Sequence, residues 1–181
     1  MKKVSIIIPF FNEDEGAQQF YDELSAELLT IKKYSFELVL VDDGSDDKTL
    51  SCLKGLDIND AMNASIVELS RNFGKEAALT AGIQNCTGDA VIFMDSDLEH
   101  PPKTIKRMLD KWEEGYDVVL GKRISRENET ILKRFGFKIF YWIYSKILQF
   151  KHYPGVGEFR LMNRVSVEAL KQLDENQRFM R

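Results

Sequence analysis

Short runs of apolar residues alternate along the chain with longer segments of helical periodicity. The runs are rich in β-branched, aliphatic and aromatic residues and end in turn residues, which is typical of strands covered on both faces. The predicted strands are residues 4–8, 36–41, 66–69, 90–94 and 116–121. The helical segments are predicted at 14–33, from 48 onward, at 77–85 and at 101–115.

This alternation, repeated four times with short connections, predicts an α/β fold. The expected sheet is mainly parallel and Rossmann-like, with helices on both faces. Pro9 cannot continue a β-ladder, so the first strand must end there in a loop. Ser45 or Asp46 is expected to cap the helix that begins near Lys48.

The run from Ala90 to Met94 ends abruptly in two carboxylates, Asp95 and Asp97. Open α/β sheets bind ligands at the carboxyl ends of their strands, so these acidic groups predict a site for a hard cation that carries phosphate oxygens. The alternative interpretation is structural, with one Asp capping the helix near Pro101 and the other solvated. The position directly after a buried strand favours the cation site.

Composition limits the class of protein. The 181 residues are enough for one full-sized domain with a substantial core. A net charge of -4 argues against a general nucleic-acid binder, so no nucleic-acid partner is expected. Cys52 and Cys86 show no pairing pattern and indicate reduced cysteines of a cytosolic protein. Only two histidines are present, which excludes a multi-histidine metal site.

The chain changes character after Gly121. Between Lys122 and Lys151 it carries eight basic and two acidic residues, a local net charge of +6. Residues 139–144 are apolar and aromatic on every side of a helix, so they are expected either to be buried in a core or packed on a partner, or to rest on a membrane. Basic residues beside Trp and Tyr are what an anionic membrane surface attracts.

Five motifs occur together in one order and cover nearly all of the chain. They are Ser5 to Glu13, Val41 to Ser45, Arg71 to Lys75, Asp95 to Asp97, and Gly157 to Leu161. Together they resemble the inverting family 2 glycosyltransferases of GT-A fold, most of all the polyprenyl-phosphate glycosyltransferases of the dolichyl-phosphate mannosyltransferase and bactoprenol glucosyltransferase type. The resemblance implies residues 1–121 as the nucleotide-sugar-binding half and 122–181 as the acceptor side of the same catalytic domain.

The resemblance implies a UDP- or GDP-linked sugar as donor and Mg²⁺ or Mn²⁺ as cofactor. The residues implied for donor binding are Pro9, Asn12, Glu13, Asp42, Asp43, Lys75, Asp95 and Arg123. Carboxylates are good acceptors for vicinal ribose hydroxyls. Asp95, Asp97 and Glu99 would hold the metal, since hard oxygen ligands suit such ions. For Lys75, the position of a solvated residue at the start of a helix is an equal alternative.

The resemblance also implies Glu158 and Asp97 as catalytic residues. Many relatives have Asp where this chain has Glu158, the position of the presumed base, and the side chain here is one methylene longer. A lipid-phosphate acceptor is already anionic near neutral pH, so Glu158 would then mainly position it. A sugar-hydroxyl acceptor would need Glu158 as a base.

The implied acceptor is a polyprenyl phosphate at an anionic membrane surface. Arg126, Arg134 and Arg160 are assigned to its phosphate, because guanidinium groups bind phosphate oxygens in a bidentate manner. For Arg126 and Arg134, a solvated charge on a loop is an equal alternative. The catalytic domain is expected on the cytoplasmic face of the membrane. The expected protein either continues beyond residue 181 into C-terminal transmembrane helices or is a peripheral enzyme. A homo-oligomer is compatible with the sequence.

The sequence does not fit two other classes of α/β protein. A phospho-accepting receiver domain has its acidic pair after the first strand, whereas here the aspartates follow the predicted strands at 36–41 and 90–94. A dinucleotide-binding oxidoreductase needs Gly-x-Gly-x-x-Gly after the first strand, and this motif is absent. The remaining alternatives are a transferase that acts on a sugar hydroxyl of a polysaccharide or glycolipid, and a catalytically silent nucleotide-sugar-binding module.

Overall fold

The computed structural model describes residues 1–122 and 156–172. The strands are β1 (Lys2–Phe10), β2 (Tyr34–Asp42), β3 (Met62–Glu68), β4 (Ala90–Phe93), β5 (Val118–Lys122) and β6 (Val156–Asn163). The helices are α1 (Ala17–Leu28), α2 (Thr49–Lys54), α3 (Lys75–Asn85), α4 (Thr104–Glu113) and α5 (Arg164–Lys171). The predictions for Arg123, Arg126, Arg134 and the aromatic segment 139–144 lie outside the described residues.

The strands form one sheet in the order β3-β2-β1-β4-β6-β5. β1 pairs in parallel with β2 and β4, and β2 pairs in parallel with β3. β6 runs antiparallel to both of its neighbours, β4 and β5. The α/β prediction with a mainly parallel sheet is confirmed, and the parallel strands bring the carboxyl ends of β1, β2 and β4 to the same edge.

The sheet separates two apolar layers, as the alternation of side chains along a strand requires. One face of β1, which includes Ile6 and Ile8, packs with residues of α1, α2 and α4. The other face, which includes Ile7, packs with residues of α3 and α5. β4 is buried throughout. Helices therefore cover both faces, as the continuous apolar strands predict.

Several element boundaries differ from the prediction. The first helix ends at Leu28 rather than near Lys33. Ile31 keeps the apolar spacing but follows the helix, and its N–H closes a turn by donating to the Leu28 carbonyl. β3 begins at Met62 rather than at Ile66 and lies at an exposed sheet edge, where polar residues do not interrupt a strand. β6 was not predicted as a strand.

The predicted cap at the start of α2 is wrong. The N–H of Thr49 donates to the Asp47 carboxylate at 2.8 Å. Ser45 Oγ instead accepts the N–H of Asn12 at 3.0 Å, and the N–H of Asp46 donates to Asn12 Oδ1 at 3.0 Å. Both residues therefore fasten the loop after β1 to the loop after β2.

In the ranges 1–122 and 156–172, no helix has the length and apolar character required to cross a bilayer.

Candidate functional site

A cleft of about 280 Å³ lies at the carboxyl edge of the sheet. This is slightly smaller than most small-molecule sites, which enclose about 300–1,000 Å³. The loops after β1, β2, β3 and β4 all contribute to it. Its lining residues are Pro9, Phe10, Phe11, Glu13, Asp43, Asn72, Gly74, Lys75, Asp95, Ser96 and Asp97.

The two aspartates at the carboxyl end of β2 are structural anchors of this edge. The Asp43 carboxylate accepts the backbone N–H groups of Phe73 and Gly74, both at 2.9 Å, and so fixes the loop that leads into α3. Asp42 is buried, and its Oδ2 accepts the N–H of Ser45 at 3.2 Å. Asp42 Oδ1 is enclosed and has no hydrogen-bond partner among the described residues. Contact of either residue with a ribose stays a prediction.

Asn12 and Glu13 lie in the loop after β1. Asn12 has a positive φ of 54°, a conformation that Asn tolerates better than most residues, and its contacts with the loop after β2 stabilise it. Glu13 lines the cleft, and its N–H donates to Thr49 Oγ1 at 2.7 Å. Burial and the charges of Asp97 and Asp47 raise the pKa of the Glu13 carboxyl, so this part of the cleft concentrates negative charge.

Lys75, the first residue of α3, joins a carboxylate in the loop after β4 to a carboxylate on β6. Its Nζ lies 2.6 Å from Asp95 Oδ1 and also contacts Glu158 Oε2. Burial alone would lower the pKa of the ammonium, but the two carboxylates outweigh burial and raise it. Lys75 is therefore a partly buried cation within the site and not a solvated residue at the start of a helix.

Glu158 and Arg160 lie on the same face of β6, the face turned toward α3. Glu158 is buried, with a side-chain exposure of 7%, and it is held by Lys75. The Arg160 guanidinium packs over the Phe93 ring at 5.4 Å, and its Nε and Nη2 have no hydrogen-bond partner among the described residues. Burial lowers the pKa of Arg160, against the opposite influence of Glu158 and Glu76. The assignment of Arg160 to an acceptor phosphate stays a prediction.

The loop that carries the aspartates is fixed against β6 by a ring stack. His100 is buried, and its ring stacks on Phe159 with a centroid distance of 4.9 Å. Phe159 directly follows Glu158 along the strand. This contact therefore links the loop after Asp97 to the strand that carries Glu158.

The donor set fits a divalent cation that is shared with a substrate. Asp95 and Asp97 line the cleft together with Glu13, and a cation bound there would offset the like charges that raise the pKa of Glu13. Asp97 Oδ1 accepts the N–H of Glu99 at 2.9 Å, which orients the carboxylate. Within residues 1–122 and 156–172, no group of three or more His, Cys, Asp and Glu side chains is arranged to hold a metal by itself. Mg²⁺ is commonly held by one or two carboxylates plus substrate phosphates.

The predicted site residues fall into three groups. Those that meet at the cleft are Pro9, Glu13, Asp43, Lys75, Asp95 and Asp97. Those described but not lining it are Asn12, Asp42, Glu99, Glu158 and Arg160. The third group, the three arginines between 122 and 155, lies outside the described residues.

Five residues that line the cleft were not predicted as site residues: Phe10, Phe11, Asn72, Gly74 and Ser96. All five lie inside motifs that the sequence already singled out, so their positions in the chain were a usable signal. The side chain of Phe11 is 41% exposed, and hydrophobic patterning alone does not distinguish an exposed phenylalanine from one in the core.

The model for glycosyl transferase family 2 matches residues 5–171. The chain belongs to this family. A bactoprenol glucosyl transferase of Shigella phage SfX is 43% identical to it over 181 residues, which are 99% of this chain and 58% of that protein. An uncharacterised glycosyltransferase of Synechocystis is 46% identical over 180 residues, 99% of this chain and 56% of that protein. This family 2 chain thus spans less than two thirds of the length of these curated relatives.

Solved structures share the fold of this family 2 chain. Residues 1–349 of S. aureus TarS, in complex with UDP, are 26% identical, with a TM-score of 0.55 over 71% of this chain and 38% of that one. A mannosyltransferase of Pyrobaculum calidifontis, in complex with GDP-Man and Mn²⁺, is 22% identical, with a TM-score of 0.62 over 93% of this chain and 46% of that one. The fold is that of the GT-A glycosyltransferases, as predicted.

Proposed function

We propose that this chain transfers a sugar from a nucleotide-diphosphate-sugar to a polyprenyl phosphate at a membrane surface, with inversion at the anomeric carbon. Mg²⁺ or Mn²⁺ is the proposed cofactor. The observation that carries the proposal is the convergence of Asp95, Asp97 and Lys75 in one cleft at the carboxyl edge of the sheet. One bound nucleotide diphosphate could therefore contact both a cation held by the two carboxylates and the ammonium of Lys75.

The donor would bind across the loops that follow the parallel strands. The diphosphate lies beside Asp95 and Asp97, and the base and ribose lie toward Pro9 and Asp43. The cation, when bound, neutralises charge that develops on the departing nucleoside diphosphate. A UDP-sugar is the first donor to test, because S. aureus TarS, which is 26% identical to this chain, was solved in complex with UDP.

In the transfer step, a phosphate oxygen of the acceptor attacks the anomeric carbon from the face opposite the diphosphate. The new carbon–oxygen bond forms as the bond to the diphosphate oxygen breaks, and the electron pair of that bond leaves with the nucleoside diphosphate. A phosphomonoester has a second pKa of about 6 and needs no deprotonation at neutral pH. Glu158, buried and held by Lys75, then positions the acceptor.

The first prediction concerns the donor and the metal. UDP-sugar with Mn²⁺, at about 100 times its Kd, should raise the melting temperature by about 5–10 °C, because a ligand that binds only the folded chain stabilises it. Asp97→Asn should lose the Mn²⁺-dependent part of this shift, whereas Asp60→Asn, an exposed carboxylate outside the cleft, should keep it. A thermal-shift panel of UDP- and GDP-sugars, with and without Mn²⁺, measures both. Equal shifts in excess chelator would remove the metal from the proposal.

Two observations support the proposal of a polyprenyl-phosphate acceptor. The relatives named bactoprenol glucosyl transferase are 41–43% identical over 99% of this chain. Residues 122–151, with a local net charge of +6, have the composition of a segment that contacts anionic lipid. We therefore assign 1–121 to the donor and 122–181 to the acceptor, at the cytoplasmic face of a membrane. Transfer to a sugar hydroxyl would instead form a glycosidic bond between two sugars, with no phosphorus in the new linkage.

The second prediction concerns the membrane. The chain should float with vesicles that contain an anionic phospholipid and not with neutral phosphatidylcholine vesicles, and added salt should weaken the binding. The double variant Trp142→Ser with Tyr144→Ser should lose flotation. Tyr116→Ser, which alters an aromatic side chain 55% exposed on another segment, is the matched control and should bind normally. Flotation that is absent, or unchanged in the double variant, would contradict the membrane proposal.

A further inference from the structure

Lys75 is held in place by the main chain around it. Its neighbour Gly74 has a φ of 92°, and the N–H groups of Gly74 and Phe73 are both fixed by the Asp43 carboxylate. The side chain of Lys75 is 39% exposed and those of its partners are less so, 23% for Asp95 and 7% for Glu158. The ammonium therefore reaches its two carboxylates from a fixed position at the start of α3.

The ammonium and a divalent cation would compete for one carboxylate. Nζ lies 2.6 Å from Asp95 Oδ1, so an ion that coordinates Asp95 must either share this group with Lys75 or displace the ammonium. Two positive charges a few ångströms apart repel strongly in a partly buried site, where the effective dielectric constant is well below that of water. Lys75 thus weakens the binding of a lone cation at Asp95 and Asp97.

When a diphosphate is bound, Lys75 no longer weakens the binding of the cation. Its oxygens carry negative charge that both the metal ion and the ammonium can share, so the two cations no longer compete for Asp95 alone. When two ligands bind in this way, each raises the affinity of the protein for the other.

We propose that Lys75 makes metal binding depend on the nucleotide diphosphate, because it holds Asp95 against Glu158 until the diphosphate supplies a second anionic partner. This inference rests on the proposed function, since it assumes that the cleft takes a nucleotide and a cation. It assigns Lys75 the role of a positioning and coupling residue. The site would then retain the ion only together with the donor.

The third prediction tests this coupling by Mn²⁺ binding, followed by the electron paramagnetic resonance signal of free Mn²⁺, with and without UDP. Without UDP, Lys75→Met should bind Mn²⁺ about tenfold more tightly than the wild-type chain, because a repelling charge is removed. The factor by which UDP strengthens Mn²⁺ binding should shrink to a similar extent. Lys75→Arg keeps the charge and should resemble the wild type.

Two further variants complete the test. Lys111→Met removes an exposed ammonium that pairs with Glu114 and should change nothing. Lys75→Gln removes the charge but can still donate hydrogen bonds to both carboxylates, so it replaces Lys75→Met should that variant fail to fold, as judged by circular dichroism. An unchanged or weaker affinity for Mn²⁺ alone in the uncharged variants overturns the inference. Failure of the proposed function is a separate outcome, namely a wild-type chain that binds neither UDP nor Mn²⁺ in any combination.

Discussion

Gly44 occupies a point where two loops of the cleft edge touch. Its φ is +65°, and a Cβ atom there would lie 2.2 Å from the carbonyl carbon of Arg71 and 2.7 Å from the nitrogen of Asn72. The backbone after β3 thus packs directly on the turn after β2. This close approach brings the loop 73–74 within hydrogen-bonding distance of Asp43.

The fourth prediction follows from this contact. Gly44→Ala should lower the free energy of unfolding by about 2–4 kcal/mol, since it combines an unfavourable backbone conformation with a collision against main-chain atoms. Gly115→Ala is the control, because φ is +97° there but no atom lies within 4 Å of the added Cβ. It should cost about 1–2 kcal/mol, the conformational part alone. Urea unfolding measures both, and equal losses would contradict the steric argument.

At the scale of elements, Glu37 joins three segments at the end of the sheet opposite the cleft. Its carboxylate accepts hydrogen bonds from Ser5 Oγ at 2.5 Å and from the N–H and Oγ1 of Thr87 at 2.8 and 2.7 Å. Ser5 Oγ in turn accepts the N–H of Gly88 at 2.8 Å. β1, β2 and the loop before β4 are therefore tied together by one partly buried polar network.

The fifth prediction concerns the pH dependence of stability. Burial raises the pKa of Glu37, but the hydrogen bonds from Ser5 and Thr87, with the charge of Lys3, outweigh it and leave the pKa below its ordinary value of 4.5. The stabilisation is therefore present above about pH 4.5 and is lost as the pH falls through the lower pKa of the folded state. Glu37→Gln should cost about 1–3 kcal/mol at pH 7, and this difference from wild type should shrink below pH 4.5.

Urea unfolding across the pH range checks this prediction. Glu68→Gln is the matched control, because Glu68 lies on the exposed edge strand β3 and pairs with Lys54 at the surface. Surface ion pairs of this kind contribute about 0–1 kcal/mol. If the difference in free energy of unfolding between Glu37→Gln and wild type stays constant below pH 4.5, the charge of Glu37 plays no part in the network.

At the scale of the whole molecule, β6 decides the arrangement of the site. It inserts between β4 and β5, antiparallel to both, and carries Glu158 to Lys75 and Asp95 from a distant part of the chain. Leu161 on the same strand is fully buried in the core. Polar and apolar residues alternate from Glu158 to Leu161, which is the pattern of a strand. The strand was predictable from this alternation, although its place in the sheet was not.

The sequence by itself determined the layered architecture and the edge of the sheet at which the cleft lies. Apolar runs of strand length that alternate with amphipathic helices can be buried only in a sheet covered on both faces, and parallel strands must then end at one edge. The shared edge of the parallel strands was enough to predict that Glu13, Asp43 and Asp95 lie close together. Only the tertiary structure decided the contacts that span the chain: Asp43 with the loop 73–74, and Lys75 with its two carboxylates. Such contacts depend on loop geometry and strand order, which local residue patterns do not encode.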